Sequence, residues 1–210
     1  MKKKISIVAL GIAGIVAVGC ASMGQQDDAA LGAKALELMK VSFKESGQAK
    51  LDRLDQDDVQ RICSEYSGDK KIPKDVAEGL EKEQLATIKY PADGKYLGDW
   101  KSGERIAQTG VGMQFTDTAG SAAGGNCYAC HELTKQELAF GTIGPSLYNF
   151  GKIRGFTPEM QKYAFGKVYN SEAYSACSNM PRFGHKGILT EQQIKDVVAL
   201  LMDPNSPVNK

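Results

Sequence analysis

The chain has 210 residues, which suits one or two small domains; 42% of the residues are hydrophobic and 24% are charged. This balance is typical of a folded globular protein and excludes a collagen-like or largely disordered chain. The 26 lysines and arginines nearly match the 25 aspartates and glutamates, whereas a general nucleic-acid binder needs a strong basic excess. We therefore expect no nucleic-acid partner.

The first residues have the pattern of a bacterial export signal. Three lysines at positions 2–4 precede an apolar run over residues 5–18, which is shorter than the roughly 20 residues of a membrane-spanning helix. The run ends in Ala17-Val18-Gly19-Cys20, which resembles the cleavage site of a lipoprotein. We predict a signal peptide over residues 1–19 and a periplasmic protein whose membrane contact is a lipid on Cys20.

Ordinary secretion is the alternative to lipid attachment, because Gly19-Cys20-Ala21 is a weak signal-peptidase site. In either case export places the chain in an oxidising compartment, where unpaired thiols tend to form disulfides. Removal of residues 1–19 takes away three lysines and changes the net charge from +1 to −2.

Residues 20–95 are polar and are predicted to form an N-terminal helical extension. Apolar residues recur at helical spacing from Leu31 to Met39, and shorter helices are predicted around Val59 and after Pro73. The segment has no strand alternation and no motif that carries chemistry.

Residues 96–210 are predicted to form an all-α domain. Asp99 and Thr157 are each placed to cap a helix, the second of which begins with proline. Thr190 and Gln193 have the spacing of a capping box at the start of the last helix. Apolar residues at helical spacing follow that box, so a buried helix near the C-terminus is expected.

The motif that carries chemistry is Cys127-Tyr128-Ala129-Cys130-His131, which has the C-x-x-C-H spacing of c-type haem attachment. On a helical turn Cys127 and Cys130 face the same side, so both thiols can add to the two vinyl groups along one porphyrin edge. His131 then lies beneath the same ring and offers an imidazole to the iron. We predict one covalently bound haem c with His131 as an axial ligand.

A structural zinc site and a redox dithiol are the two alternatives for this motif. Structural zinc normally needs four protein ligands, and the chain has one further histidine and no second C-x-x-C. A thioredoxin-like dithiol is found in a βαβ setting, which the sequence does not predict. Haem c therefore fits the sequence better than either alternative.

Four residues after the motif could supply the second axial ligand, namely Met160, Met180, His185 and Met202. Met160 and Met202 lie in predicted helices, where methionine usually packs in a core. Met180 lies in a loop and is followed by Pro181, which stiffens the backbone beside it. A thioether also favours ferrous iron, as an electron carrier requires. We predict Met180 as the ligand, with His185 or an open coordination site as alternatives.

Cys63 and Cys177 are the cysteines that neither haem nor lipid accounts for. In an oxidising compartment the two are expected to form a disulfide. Such a bridge would tie the N-terminal extension to a point three residues before Met180 and brace the ligand loop. The alternative is two buried, unreacted thiols.

Charge is unevenly distributed, because six basic and two acidic residues lie between Lys152 and Lys186. This segment includes the predicted ligand loop. A basic patch near the haem edge could steer an acidic redox partner or an anion. A solvated basic face without a partner is the alternative.

Several motifs in the C-terminal half together resemble the SoxX family, the monohaem cytochrome subunit of the SoxAX complex of bacterial thiosulfate oxidation. The motifs are Gly98-Asp99-Trp100-Lys101, Gly124 to His131, Gly141 to Leu147, Cys177 to Gly184 and the tail Asp203 to Asn209. The resemblance covers residues 90–210 and, more loosely, residues 30–90. It implies a class I cytochrome c fold with haem on Cys127 and Cys130 and with His131 and Met180 as axial ligands.

The resemblance also implies a role as the electron-transfer subunit of L-cysteine S-thiosulfotransferase. SoxAX joins thiosulfate to a carrier-protein cysteine with loss of two electrons, and its catalytic haem belongs to the SoxA subunit. The expected partners are therefore a SoxA-type haem subunit and, downstream, a cytochrome or respiratory acceptor. No catalytic residue is predicted in this chain.

Electron counting supports the same division of labour. One haem iron accepts one electron, and the chain has one haem motif. If His131 and Met180 fill both axial positions, no coordination site remains for a substrate. A free-standing periplasmic electron shuttle and a peroxidase-like enzyme or sensor with a vacant site are the competing interpretations.

Overall fold

The computed structural model describes residues 28–210. The chain divides into two compact units, one ending at Lys44 and one spanning Glu45–Lys210. The described part of the first unit is helix α1 (Asp28–Ser42), which confirms the helix predicted around Leu31 to Met39. The predicted signal peptide and Cys20 lie outside the described residues.

The second unit is built from helices and short turns. Its helices are α2 (Asp58–Glu65), α3 (Lys74–Ala86), α4 (Trp100–Gln108), α5 (Phe150–Arg154), α6 (Pro158–Tyr169) and α7 (Glu191–Met202). Short 3-10 turns lie at Leu51–Leu54, Cys127–Ala129, Ser171–Ala173 and Pro207–Asn209. Over residues 28–210 there is no strand beyond an isolated bridge between Ser46 and Ala49, so the all-α prediction is confirmed. None of the helices in this range is long and apolar enough to cross a membrane.

The helices begin where the sequence places capping side chains. The Asp99 carboxylate accepts the backbone N–H groups at the start of α4, and the Thr157 hydroxyl accepts that of Met160 in α6. At α7 the Thr190 hydroxyl and the Gln193 amide bond each other's backbone N–H, which is the predicted capping box. Each bond satisfies a donor that the first helical turn would leave without a partner.

The core lies where α4 crosses α7. Ile194, Val198 and Leu200 of α7 are fully buried. A Cβ atom at Gly103 of α4 would lie 2.1 Å from the backbone oxygen of Asp196, so only glycine allows the two helices to approach this closely. The N–H of Asp99 donates to the Asp196 carboxylate over 2.9 Å and fixes the start of α4 against α7.

Residues 45–95 belong to the same compact unit as the C-terminal domain, so the predicted boundary at residue 96 does not coincide with a boundary of the structure. The side chain of Asn170, which is fully buried, donates to Gln84 Oε1 over 3.0 Å and to Thr87 Oγ1 over 2.9 Å. These bonds join α3 to the end of α6. Polar contacts between positions so distant in sequence leave no periodic pattern, which is why the sequence suggested a separate extension.

A cluster of charges ties the start of α2 to the segment after Met180. Asp57 Oδ2 accepts hydrogen bonds from Arg182 over 2.5 Å and from Lys186 over 2.6 Å. Burial alone would raise the pKa of Asp57, but these bonds and the N–H of Gln60 outweigh it and hold that pKa well below its usual range. Only 8% of Arg182 is exposed, so its charge depends on Asp57 for compensation.

We expect Asp57→Asn to lower the free energy of unfolding by about 2 kcal/mol at pH 7, because it leaves a buried arginine without its counter-ion. Asparagine caps helices as well as aspartate does, so the cap of α2 is retained. Since the folded pKa of Asp57 is depressed, the carboxylate stabilises the fold above the unfolded pKa of about 4 and loses this effect as pH falls below it.

Urea unfolding at pH 7 and pH 3 measures both the loss of unfolding free energy and its dependence on pH. Asp58→Asn is the matched control, because it removes the same charge from a neighbouring side chain that is 93% exposed. Equal losses in the two variants, or a loss for Asp57→Asn that does not shrink at pH 3, would contradict this role.

Candidate functional site

The C-x-x-C-H motif forms one tight turn. Residues Cys127–Ala129 are a 3-10 turn, and the backbone N–H groups of Cys130 and His131 both donate to the Cys127 carbonyl, over 3.1 Å and 2.9 Å. The turn begins after Asn126, whose φ of +46° is left-handed. Cys127, Cys130 and His131 are therefore held on a rigid loop between α4 and α5.

Both motif cysteines have free thiols and are half-buried. Cys127 packs against the hydrophobic core, and burial raises the pKa of its thiol to about 12. The sulfur is thus uncharged at physiological pH, as the thioether sulfur of an attached haem would be. Among residues 28–210 no group of three or more His, Cys, Asp or Glu side chains could hold a metal ion, so this part of the chain lacks the four-ligand set of structural zinc.

The ring of His131 is oriented by the backbone. Its Nδ1 lies 2.7 Å from the carbonyl oxygen of Pro145, and because a carbonyl only accepts, Nδ1 carries the proton and Nε2 is left with a lone pair for a metal. A Cβ atom at Gly144 would lie 2.2 Å from His131 Cε1. The N–H of Gly144 donates to the Cys130 carbonyl over 2.8 Å, which ties the Gly144-Pro145 loop to the motif.

Met180 lies in a loop and is half-buried against the same hydrophobic core as Cys127. Its backbone is fixed at both polar groups by serine hydroxyls. The N–H donates to Ser178 Oγ over 3.2 Å, and the carbonyl accepts from Ser171 Oγ over 2.5 Å. The backbone of the Met180 loop is therefore held by two hydrogen bonds to serine side chains.

The other candidate ligands have different surroundings. Met202 is 1% exposed in α7 and is a core residue, and Met160 packs against the core from α6. His185 is half-buried, and its backbone N–H donates to the Tyr169 carbonyl over 3.0 Å. Burial and the neighbouring cations Arg182 and Lys186 lower the pKa of His185, so its imidazole is neutral near pH 7.

Cys63 and Cys177 form a disulfide in the structure, with their Cα atoms 5.3 Å apart. The bridge links α2 to the chain three residues before Met180. Cys177 has a φ of +60°, which is rare for a residue with a side chain. Sequence reasoning missed two further residues beside this loop, Ser171 and Glu172, because neither belongs to a motif.

The basic segment from Lys152 to Lys186 is not one free cationic face. Arg182 and Lys186 are paired with Asp57, as described above, and Lys167 donates to the Ser171 carbonyl over 3.1 Å. Lys162 lies 4.8 Å from the centroid of the Tyr90 ring. Lys152 and Arg154 are exposed on α5 and remain available to an approaching anion or acidic partner.

Comparison with known proteins agrees with this geometry. Residues 117–203, which include the motif turn and Met180, match the family described as Cytochrome c. The chain is also 37% identical over 213 residues to a protein of Aquifex aeolicus (strain VF5) named "Uncharacterized lipoprotein", and the match covers 100% of both chains. The chain therefore belongs to the same family as this Aquifex protein and contains a cytochrome c domain. The prediction of a class I cytochrome c-like, all-α fold is confirmed.

Cytochrome c domains bind haem c covalently and transfer electrons, and the residues on the motif turn fit that group. The turn presents two free thiols three residues apart, followed by an imidazole whose Nδ1 is bonded to the Pro145 carbonyl and whose Nε2 is left for the iron. Gly144 lacks the Cβ atom that would clash with the imidazole ring of His131. The match begins at residue 117, so Asp57 and Cys63 lie outside the cytochrome c region although they contact it.

Proposed function

We propose that this chain is the monohaem electron-transfer subunit of a SoxAX-type complex, which joins thiosulfate to a carrier-protein cysteine. The observation that carries the proposal is the set of SoxX-like motifs around a C-x-x-C-H turn within a cytochrome c domain. The family-like tail is part of the fold, since the buried Asn209 amide accepts the Gly151 N–H over 2.9 Å and donates to the Leu201 carbonyl over 3.0 Å.

In this proposal Cys127 and Cys130 would hold one haem c, and His131 and Met180 would supply the two side-chain ligands of its iron. Haem c supplies one-electron exchange at its iron. The Pro145 carbonyl orients His131 and strengthens its Nε2 as a donor. The Met180 thioether favours the ferrous state and raises the reduction potential.

The chemistry of the complex needs more than this chain. A cysteine thiol and thiosulfate join through a new S–S bond with loss of one proton and two electrons. One haem accepts one electron at a time, and two axial side chains leave no coordination site for thiosulfate. We therefore assign the bond-forming step to a SoxA-type haem subunit and the relay of electrons to this chain, which passes them to a cytochrome or respiratory acceptor.

A free-standing periplasmic shuttle is the second candidate. The compact unit favours the subunit role, because residues 45–95 add α2 and α3 to a cytochrome c match that begins only at residue 117. Such added helices suit a docked subunit better than a small diffusing carrier. The name of the Aquifex relative supports a lipid on Cys20, and hence a periplasmic chain tethered to the membrane.

Purification of the complex from membranes of the native organism separates the two candidates. The subunit role predicts that the chain is recovered with a stoichiometric, haem-bearing partner. Recovery of the chain alone, in a form that rapidly reduces a small cytochrome, would favour the shuttle. Globomycin, which blocks lipoprotein maturation, tests the lipid on Cys20 separately. Growing cells treated with it should accumulate the uncleaved precursor if Cys20 is lipidated, and should not if the chain is secreted in the ordinary way.

A further inference from the structure

Both ends of the segment 177–180, which carries Met180, are attached to one turn of the chain. The backbone N–H of Cys177 donates to Glu172 Oε2 over 2.6 Å. The carbonyl of Met180 accepts the hydroxyl of Ser171. Ser171 and Glu172 are neighbours on the 3-10 turn Ser171–Ala173, so this turn fixes the beginning and the end of the ligand segment together.

The turn that holds the segment is itself rigid. Ser171 is fully buried, and Glu172 is only 7% exposed. The N–H of Glu172 donates to Asn170 Oδ1 over 3.2 Å, and the same Asn170 side chain is bonded to Gln84 and Thr87 at the end of α3. Movement of Glu172 would therefore disturb buried hydrogen bonds across two helices.

The Glu172 carboxylate compensates for an unfavourable backbone at the start of the segment. Cys177 has a left-handed φ of +60°, which costs an L-residue roughly 1 kcal/mol or more. Glu172 accepts the N–H groups of both Cys177 and Ser178, and the disulfide to Cys63 holds the same residue from α2. The Glu172 carboxylate therefore holds the backbone at the start of the segment, and it also lies near enough to the cations Arg182 and Lys167 for their charges to act on it.

We propose that Glu172 is a positioning residue for Met180: with Ser171 it fixes both ends of the segment 177–180 and so keeps the thioether on the haem iron. This inference rests on the proposed function in one respect, the assignment of Met180 as an axial ligand. When the anchor is weakened, Met180 leaves the iron more often and an added ligand can take its place.

The test is a titration of the ferric holoprotein with imidazole, which competes with Met180 for the iron. We expect Glu172→Gln to bind imidazole about tenfold more tightly, because the loss of a charge-assisted hydrogen bond shifts the dissociation equilibrium of Met180 by about that factor. The far-red absorption band of the thioether–ferric iron bond should also disappear at a lower temperature. Glu83→Gln is the matched control, since it removes the same charge from an exposed position on α3.

The titration separates positioning from general stability. In Glu172→Gln the unfolding temperature measured by far-UV circular dichroism should fall less than the temperature at which the far-red band disappears. In Glu83→Gln both temperatures should equal those of the parent protein. Should Glu172→Gln fail to accumulate with haem, Ser171→Ala removes the other anchor and should raise the apparent imidazole affinity several-fold.

Two results would overturn the proposal and are distinguishable from each other. The turn does not position Met180 if the variant binds imidazole as the parent protein does and keeps the same far-red band. This holds for Glu172→Gln or, where that variant lacks haem, for Ser171→Ala. A parent protein without the band, whose imidazole affinity is unchanged by Met180→Ala, would instead remove Met180 as a ligand, and the present inference with it.

Discussion

Replacement of Cys127 and Cys130 together by serine is expected to abolish covalent haem attachment. These thiols are the free ones in residues 28–210, because Cys63 and Cys177 are joined in a disulfide. Serine cannot form the thioether bonds to the porphyrin. Because a bound cofactor stabilises only the folded state, the double variant should also lose about 3 kcal/mol or more of unfolding free energy. Haem staining after denaturing electrophoresis measures the covalent link.

The matched control is Cys63→Ser with Cys177→Ser, which also replaces two cysteines. It breaks the disulfide but leaves the motif turn intact, so covalent haem should persist. Haem that stays on the Cys127 and Cys130 double variant through denaturing electrophoresis would contradict the attachment site.

Met180→Ala is expected to leave haem covalently bound while lowering its reduction potential by on the order of 0.1 V. The thioether stabilises ferrous iron, so its removal favours the ferric state. The far-red band of the ferric protein should be lost as well. A redox titration followed by visible absorption measures both changes on one sample.

Met160→Ala provides the comparison, because Met160 is also half-buried against the core but lies on α6. It should keep the far-red band and most of the potential. An unchanged spectrum in Met180→Ala, together with a changed one in His185→Ala, would move the axial ligand to His185.

Local sequence patterns predicted what depends on neighbours along the chain. The capping box at Thr190 and Gln193 and the cap at Asp99 are set by residues two or three positions apart, and the structure contains both. The C-x-x-C-H spacing likewise fixes a turn, although the turn is 3-10 rather than α-helical. Such features require no knowledge of the tertiary fold.

Contacts between distant positions could not be predicted in this way. Asp57 and Arg182 are 125 residues apart, and nothing in either local sequence identifies the other as its partner. Because of this pairing Arg182 does not contribute a free positive charge to the basic segment: it is buried, and Asp57 compensates its charge. The boundary expected at residue 96 failed to coincide with the compact unit for the same reason.

Glu172 shows why site residues without a motif escape sequence reasoning. In the sequence it is an isolated acid within a basic segment, five residues before Cys177. Its role depends on a buried turn that brings its carboxylate to the Cys177 N–H. One of two negative charges among six positive ones was the available signal, and its role could be assigned only from the structure.

We propose that this chain relays electrons from thiosulfate oxidation and does not perform that oxidation alone. The most direct measurement follows the visible spectrum of its haem after thiosulfate and the carrier-protein thiol are added to the isolated chain, to the SoxA-type partner and to the reconstituted pair. We predict reduction of this haem in the pair and no thiosulfate turnover by the isolated chain. Full turnover by the isolated chain, or turnover by the pair during which this haem never changes redox state, would contradict the account.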